Sequence, residues 1–194
     1  MTKPLGVLSL QGDFREHLQA FDRLGISAVA VKRRSELDGV SGLVIPGGES
    51  TTISKLARIF DLFEPIREAI SGGMPVFGTC AGLIMLADEI TDGIEGQETF
   101  GGLDVVVRRN AFGNQLDSFE VDLPFKGIDG TVHAAFIRAP IISSVGPKAE
   151  VVAKLEDGRI VGVVQGSRLG ISFHPEVTGE DRVHSYFYDA LVRA

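Results

Sequence analysis

At 194 residues, 44% of them hydrophobic and 23% charged, the chain has the size and composition of one globular domain, which we expect to span residues 1–194. Its 19 basic residues against 26 acidic ones give a formal charge of -7, which disfavours nucleic acid as a partner because a phosphate backbone would be repelled. Cys80 is the only cysteine, which excludes an internal disulfide and a cysteine-rich metal site.

No signal peptide or membrane span is predicted. The short apolar run after Met1 ends at Gln11-Gly12-Asp13. The longest uncharged stretch, 69–87, contains several glycines and a proline, so it is interpreted as loop, strand, turn and helix. We therefore expect a cytoplasmic protein without a membrane partner.

The first half of the chain alternates apolar runs of strand length with amphipathic stretches of helical spacing. Strands are predicted at residues 5–10, 26–31, 42–45 and 75–77. Helices are predicted at 14–24, at about 50–60 with Ser50 or Thr51 as the cap, at 63–70 and at 81–87. This alternation implies parallel strands joined by right-handed crossovers in an α/β fold.

The second half is predicted to be richer in strands. They are placed at 103–109, 118–121, 131–137, 151–155, 160–165 and 169–173. Asp157-Gly158 is typical of a hairpin turn, and only the tail, 182–192, has helical spacing again. We expect a largely parallel central sheet that gains antiparallel strands.

The segment Gly78-Thr79-Cys80-Ala81-Gly82 lies directly between a predicted strand and a predicted helix. A nucleophile in such a turn projects above the sheet edge, and flanking glycines accommodate the strained backbone and its close neighbours. The N-terminus of the following helix favours the thiolate. Cys80 is therefore a candidate nucleophile, while a buried structural cysteine fits this short pattern about as well.

A thiolate nucleophile needs a base, and His174 is the best placed histidine because it follows the predicted strand 169–173. Strand carboxyl ends in an open α/β sheet line the ligand crevice, where Cys80 also emerges. We interpret Glu176, further along the same extended segment, as the carboxylate that orients the imidazole. Taken alone, His-Pro-Glu favours a simple strand-ending turn, and it is the pairing with Cys80 that favours catalysis. The other histidines are interpreted as two surface residues, His17 and His184, and one structural strand residue, His133.

Acyl transfer also requires groups that stabilise an oxyanion. The segment 45–52, Ile-Pro-Gly-Gly-Glu-Ser-Thr-Thr, leaves a strand, enters a helix and presents backbone N–H groups beside two glycines. An ordinary glycine turn with a helix cap is the alternative interpretation. The sequence carries no P-loop, dinucleotide fingerprint or metal-ligand cluster, so we expect no cofactor and no metal.

Taken together, these motifs resemble those of the class I, triad-type glutamine amidotransferases. Further segments are similar to one branch of that family, the glutaminase subunits of pyridoxal 5'-phosphate synthase. They are Leu10-Gln11-Gly12 with Glu16-His17, 47–52, 109–113, 117–120 and 136–140. The resemblance implies an open three-layer, flavodoxin-like α/β fold and L-glutamine as the substrate.

The resemblance also implies roles for individual residues. Cys80 would be the nucleophile, His174 the general base and acid, and Glu176 the residue that orients His174. Backbone N–H groups of Gly48 and Ala81 would hold the oxyanion. The residues that would bind glutamine are Gly48, Glu49, Ser50, Arg109, Ile137 and Arg138. Without the resemblance, both arginines would be interpreted as solvated surface charges.

The resemblance further implies a partner, the synthase subunit, in a large hetero-oligomer that receives ammonia through a channel. We hypothesise that the Gly47-Gly48 loop is misaligned in the free subunit and corrected on docking. Residues 11–17 are a candidate docking surface.

Three alternative functions stay open. One is the glutaminase of another amidotransferase, such as imidazole glycerol phosphate synthase, which would be expected to differ in segments 109–113 and 136–140. The second is a non-glutaminase thiol hydrolase with a similar elbow, against which Pro175-Glu176 argues. The third is a non-catalytic flavodoxin-like binding module, which selective labelling of Cys80 would exclude.

Overall fold

A computed structural model describes residues 3–109 and 118–193 of the chain. In that part, ten strands form one sheet and two more form a separate antiparallel pair. The strands are β1 Leu5–Leu8, β2 Ala28–Val31, β3 Leu43–Ile45, β4 Val76–Thr79, β5 Ala87–Thr91, β6 Leu103–Arg108, β7 Ser118–Pro124, β8 Thr131–Ile137, β9 Ile141–Val145, β10 Glu150–Lys154, β11 Ile160–Gln165 and β12 Arg168–Ile171. The helices are α1 Phe14–Arg23, α2 Arg34–Leu37, α3 Ser50–Ile59, α4 Phe63–Ser71, α5 Ala81–Leu86, α6 Pro175–Thr178 and α7 Asp181–Tyr186, followed by a π-helical segment, Phe187–Val192.

The order of strands in the large sheet is β2-β1-β3-β4-β12-β11-β9-β6-β5, with β10 paired to β11. The strands from β2 to β12 in this order are parallel, and β5 is parallel to β6. The antiparallel pairs all involve the second half of the chain. The predicted combination of a parallel sheet with added antiparallel strands is therefore confirmed.

Two apolar clusters lie on opposite faces of the sheet and give the fold three layers. Val76 and Phe77, neighbours on β4, belong to different clusters, because successive side chains of a strand point to opposite faces. One cluster includes Phe63 of α4 and Leu83 of α5. The other includes Phe21 of α1 and the aromatic residues of the β7–β8 hairpin and the tail. No helix in the described part of the chain is long and apolar enough to cross a bilayer.

Several local expectations differ from the structure. The cap of α3 is Glu49 rather than Ser50 or Thr51, because its carboxylate accepts the backbone N–H of Thr52. The elements α2, β5, β9 and α6 are absent from the sequence prediction. β9 is one example: its Ser143 and Ser144 are exposed, and the strand forms by pairing with β6 and β11, which are distant in sequence.

Candidate active site

Cys80 occupies a sharp turn between β4 and α5. Its backbone has φ 50° and ψ -104°, a conformation that a residue with a Cβ rarely adopts. The flanking glycines are required by close approach: a Cβ on Gly78 would lie 2.5 Å from the backbone of Gly82, and one on Gly82 would lie 2.0 Å from the carbonyl oxygen of Ile45. The predicted strained elbow is present.

His174 reaches the same edge of the sheet from the neighbouring strand. β12 pairs with β4 so that Ile171 lies opposite Thr79, and the backbone N–H of Cys80 donates to the carbonyl of Ile171 at 2.9 Å. His174 lies three residues after Ile171, and its backbone N–H donates to the carbonyl of Ala135 on β8 at 2.8 Å. Strand register therefore brings the candidate nucleophile and the candidate base together.

Glu176 holds one nitrogen of the His174 ring. Its Oε1 lies 2.7 Å from Nδ1 of His174, which leaves Nε2 as the ring nitrogen available to Cys80. The expected extended path is wrong: Pro175 begins the one-turn helix α6, where its missing N–H costs nothing, and Glu176 reaches back from that helix. The prediction that this carboxylate contacts the imidazole is nevertheless confirmed.

The electrostatics of the pair favour a charged imidazole. Burial by itself would lower the pKa of His174, but hydrogen bonds and electrostatic attraction from Cys80 and Glu176 raise it to about 10. Burial raises the pKa of Glu176, although the attraction of His174 opposes this. Its second oxygen, Oε2, is buried and has no hydrogen-bond partner among the described residues. One oxygen of the Glu176 carboxylate thus contacts the imidazole, while the other lacks a side-chain partner in the described part of the chain.

Asp13 and Gly47 border the His174 ring. Oδ2 of Asp13 lies 3.6 Å from Nδ1 of His174, and a Cβ on Gly47 would lie 2.4 Å from the ring carbon Cε1. Within residues 3–109 and 118–193, the group Asp13, His174 and Glu176 is close enough to hold a metal ion. Because the Nδ1 that a metal would need is already bonded to Glu176, we assign these side chains to the Cys80 site instead.

The predicted oxyanion loop is anchored to the segment that follows β1. The backbone N–H of Asp13 donates to the carbonyl of Gly47 at 3.2 Å, and that of Glu49 donates to Oε1 of Gln11 at 2.8 Å. Gly48 has φ 147°, which favours glycine. Ala81 begins α5, so its N–H has no partner within the helix.

A ring of polar contacts lies outside the buried groups. Arg109 donates to Oε1 of Glu49 and to Oε1 of Gln97, both at 2.8 Å. Nε2 of Gln97 donates in turn to the hydroxyl of Ser50 at 2.9 Å. Burial would raise the pKa of Glu49, but hydrogen bonds from Thr51 and Thr52 lower it overall. Gln97 thus connects two of the predicted glutamine-binding residues, Arg109 and Ser50, and a third, Glu49, contacts Arg109 directly.

Ile137 and Arg138 also lie beside the elbow. The carbonyl oxygen of Ile137 is 3.9 Å from Sγ of Cys80, and Arg138 follows with an exposed side chain and φ 46°. Residues 110–117, which include part of two segments used for the resemblance, lie outside the described residues.

Two expectations about histidines are wrong. His17 and His184 are both fully buried, and their Nδ1 and Nε2 atoms, respectively, lie 2.9 Å apart. His17 therefore cannot belong to a docking surface formed by residues 11–17. The burial of both histidines could have been inferred from their helical spacing to buried phenylalanines. His17 is four residues before Phe21, and His184 is three residues before Phe187.

No comparable sequence pattern indicates a role for Gln97. It lies in the connection 92–99, where no motif predicts a site. Its contacts to Ser50 and Arg109 depend on segments that only tertiary structure brings together.

Comparisons with known proteins identify the family of the chain. The model of the SNO glutamine amidotransferase family matches residues 7–193. A protein of a Nocardioides species named pyridoxal 5'-phosphate synthase subunit PdxT is 60% identical over 191 residues, covering 96% of this chain and 95% of that protein. A protein of the same name from Leifsonia xyli is 60% identical over 184 residues, covering 94% of this chain and 93% of that protein. A crystal structure described as a glutamine amidotransferase superposes with a TM-score of 0.91 at 48% identity, covering 98% of this chain and 99% of that one. The chain belongs to the SNO glutamine amidotransferase family.

Proposed function

We propose that this chain hydrolyses L-glutamine to L-glutamate and ammonia, as the glutaminase subunit of a pyridoxal 5'-phosphate synthase. The observation that carries the proposal is the convergence of Cys80, His174 and Glu176 at one sheet edge in a member of this family. The names of the similar proteins support the assignment to that synthase.

In the first half of the reaction, Sγ of Cys80 attacks the side-chain amide carbon of glutamine. The C–S bond forms as the carbonyl π pair moves to oxygen, and the N–H groups of Gly48 and Ala81 stabilise the resulting oxyanion. His174 then donates the proton from Nε2 to the amide nitrogen. The C–N bond breaks, ammonia leaves, and a γ-glutamyl thioester remains on Cys80.

In the second half, His174 acts as the base. It removes a proton from a water molecule, whose oxygen attacks the thioester carbon. When the tetrahedral intermediate collapses, the C–S bond breaks, glutamate leaves and the sulfur keeps the electron pair. Glu176 contributes by holding the imidazole and stabilising its positive charge, without bonding to substrate.

The outer ring supplies groups of the right charge for the ends of an amino acid. The guanidinium of Arg109 is matched to the α-carboxylate of glutamine, since a guanidinium carries five N–H donors and can bind a carboxylate in addition to its contacts with Glu49 and Gln97. The α-ammonium is matched to acceptors: the carboxylate of Glu49 and the carbonyls near Ile137-Arg138. Ser50 completes the proposed glutamine site.

Ammonia must pass directly to a partner because near neutral pH it is protonated in solvent and is no longer a nucleophile. We infer that the synthase subunit receives it and that docking aligns the Gly47-Gly48 loop, whose glycines tolerate a peptide rotation. Glutaminase turnover measured with and without the synthase subunit tests this coupling. Equal rates would refute it.

The test of the proposed function is replacement of the nucleophile. Cys80→Ala, assembled with the synthase subunit, is expected to reduce glutamine hydrolysis by about 10⁴-fold or more, because no other group can form the thioester. Release of glutamate is measured, together with complex formation and circular dichroism. Ser143→Ala is the matched control, because it also removes a single side-chain heteroatom, but on the exposed part of β9. It should keep the wild-type rate. A Cys80→Ala complex that retained more than about a tenth of the activity would exclude the mechanism.

A further inference from the structure

A polar chain runs from the buried end of the proposed triad into the core. Nε2 of His17 lies 3.1 Å from the hydroxyl of Thr79 and 3.7 Å from Oε1 of Glu176. Nδ1 of His17 lies 2.9 Å from Nε2 of His184. All four side chains are buried, and His17, Thr79 and His184 are completely so. The mechanism described above uses neither histidine.

The two histidines lie in an apolar, aromatic environment. The His184 ring makes edge contacts with Phe21 and Phe77, at centroid distances of 5.1 and 5.6 Å, and His17 contacts the edge of Phe77 at 6.1 Å. Burial lowers the pKa of His17 well below its ordinary value and that of His184 to about 4. At neutral pH both rings are therefore uncharged, and each carries one N–H.

This proton count leaves two arrangements for the pair. If His17 donates from Nδ1 to His184, the unprotonated Nε2 of His17 directs its lone pair toward the carboxylate of Glu176. If His184 donates from Nε2 to His17, the proton of His17 is on Nε2 and is directed toward Thr79 and Glu176. The second arrangement is favoured electrostatically, because Nε2 of His17 faces Oε1 of a buried carboxylate, whose charge is stabilised by an N–H at that position and destabilised by a lone pair.

We propose that His17 is a positioning residue for glutamine hydrolysis: its Nε2–H, fixed by a hydrogen bond from Nε2–H of His184, keeps Glu176 ionised and oriented toward His174. The inference rests on the proposed function. An ion pair at the surface holds the two helices that carry the histidines, since Arg23 of α1 donates to both carboxylate oxygens of Asp181 of α7, at 2.8 and 2.7 Å.

The first experiment exchanges one nitrogen of His17 at a time. Glutamine places its amide N–H near the position of Nε2, whereas asparagine places it near that of Nδ1. With the synthase subunit bound, His17→Asn is expected to lower kcat by about 10-fold to 100-fold with little change in KM, the usual effect of removing a group that supports another. His17→Gln should recover most of the lost rate.

The pH profile separates this role from a purely structural one. Without the N–H toward Glu176, protonation of that carboxylate becomes easier, so the acid limb of kcat in His17→Asn should move to higher pH. The titratable groups that face Glu176 besides His17 are His174 and Asp13, and those that face His184 are Asp181 and Arg23. Phe187→Leu, which reduces packing against Phe77 in the same core, is the control: it should lower stability and leave the profile unchanged.

A second measurement does not depend on any variant being folded. Long-range ¹H–¹⁵N correlation spectra of the wild-type chain report the tautomer of each histidine, and we expect Nε2–H for both His17 and His184. Protonation of His17 on Nδ1 would overturn the proposal, as would a His17→Asn complex with wild-type kcat and pH profile. These outcomes are distinct from failure of the proposed function, which an active Cys80→Ala complex would reveal.

Discussion

The inner and outer parts of the candidate site are built in different ways. Cys80, His174 and Glu176 are 7%, 4% and 5% exposed, and the register of β4 and β12 sets the positions of the first two. In the outer part, the side chain of Glu49 is 46% exposed, and contacts between side chains hold Arg109. In the proposed function, the sheet would therefore position the groups that make and break bonds, while polar contacts between side chains would position the groups that bind the amino acid. Inner changes should lower kcat, and outer changes should mainly raise KM.

Among the variants that test this difference between the inner and outer parts, the largest effect is expected for Glu176→Gln. The amide keeps the shape of the side chain but removes the charge that raises the pKa of His174, so kcat should fall by about 100-fold. The pKa of His174 should fall with it, and the alkaline limb of the rate, where the imidazolium loses its proton, should move to lower pH. The measurement is glutamate release across pH with the synthase subunit present. An unchanged alkaline limb would show that Glu176 does not control the protonation of His174.

A smaller effect, on KM rather than on kcat, is expected for Arg109→Gln. Removing the guanidinium leaves the α-carboxylate of glutamine without its charged donor and should raise KM by about 10-fold to 100-fold, with kcat changed far less. Arg109→Lys keeps the charge without the planar fork and should give an intermediate KM. If Arg109→Gln lowered kcat alone, the division between inner and outer parts would be wrong at this residue.

The smallest effect is expected for Gln97→Ala. Loss of the two hydrogen bonds that link Gln97 to Arg109 and Ser50 should raise KM by about 2-fold to 5-fold. Gln97 would act on glutamine only through these two residues, so we expect the effect on substrate binding to be about 0.4–1 kcal/mol, at the low end of the net contribution of a hydrogen bond. Glu98→Gln is the control on the same connection, because Glu98 contacts Arg58 away from the site. Equal KM values for the two variants would remove Gln97 from the substrate site.

Much of the inner part could be predicted from the sequence because it depends on local chemistry. Strand–turn–helix spacing identified the elbow at Cys80, and the end of the strand before His174 identified the base. Both follow from the rule that strand carboxyl ends meet at one edge of a parallel sheet. The position of Glu176 was expected correctly for the wrong reason, since a helix beginning at Pro175, rather than an extended segment, supplies the contact.

What the sequence did not predict depends on contacts between distant segments. Gln97 gains its role from two such segments, so no periodicity marks it. The burial of His17 could have been inferred, because it shares a helix face with the buried residues Ala20 and Phe21. For His17, position on the amphipathic helix therefore indicates burial better than residue type does.

The last turns of the chain have a consequence for engineering. His184 and Phe187 are completely buried at the back of the site although they lie within the final dozen residues or so. A shortened chain that ends before α7 would keep Cys80, His174 and Glu176 but would expose the buried side of this site to water. Fusions and affinity tags should therefore leave α7 and Phe187–Val192 intact.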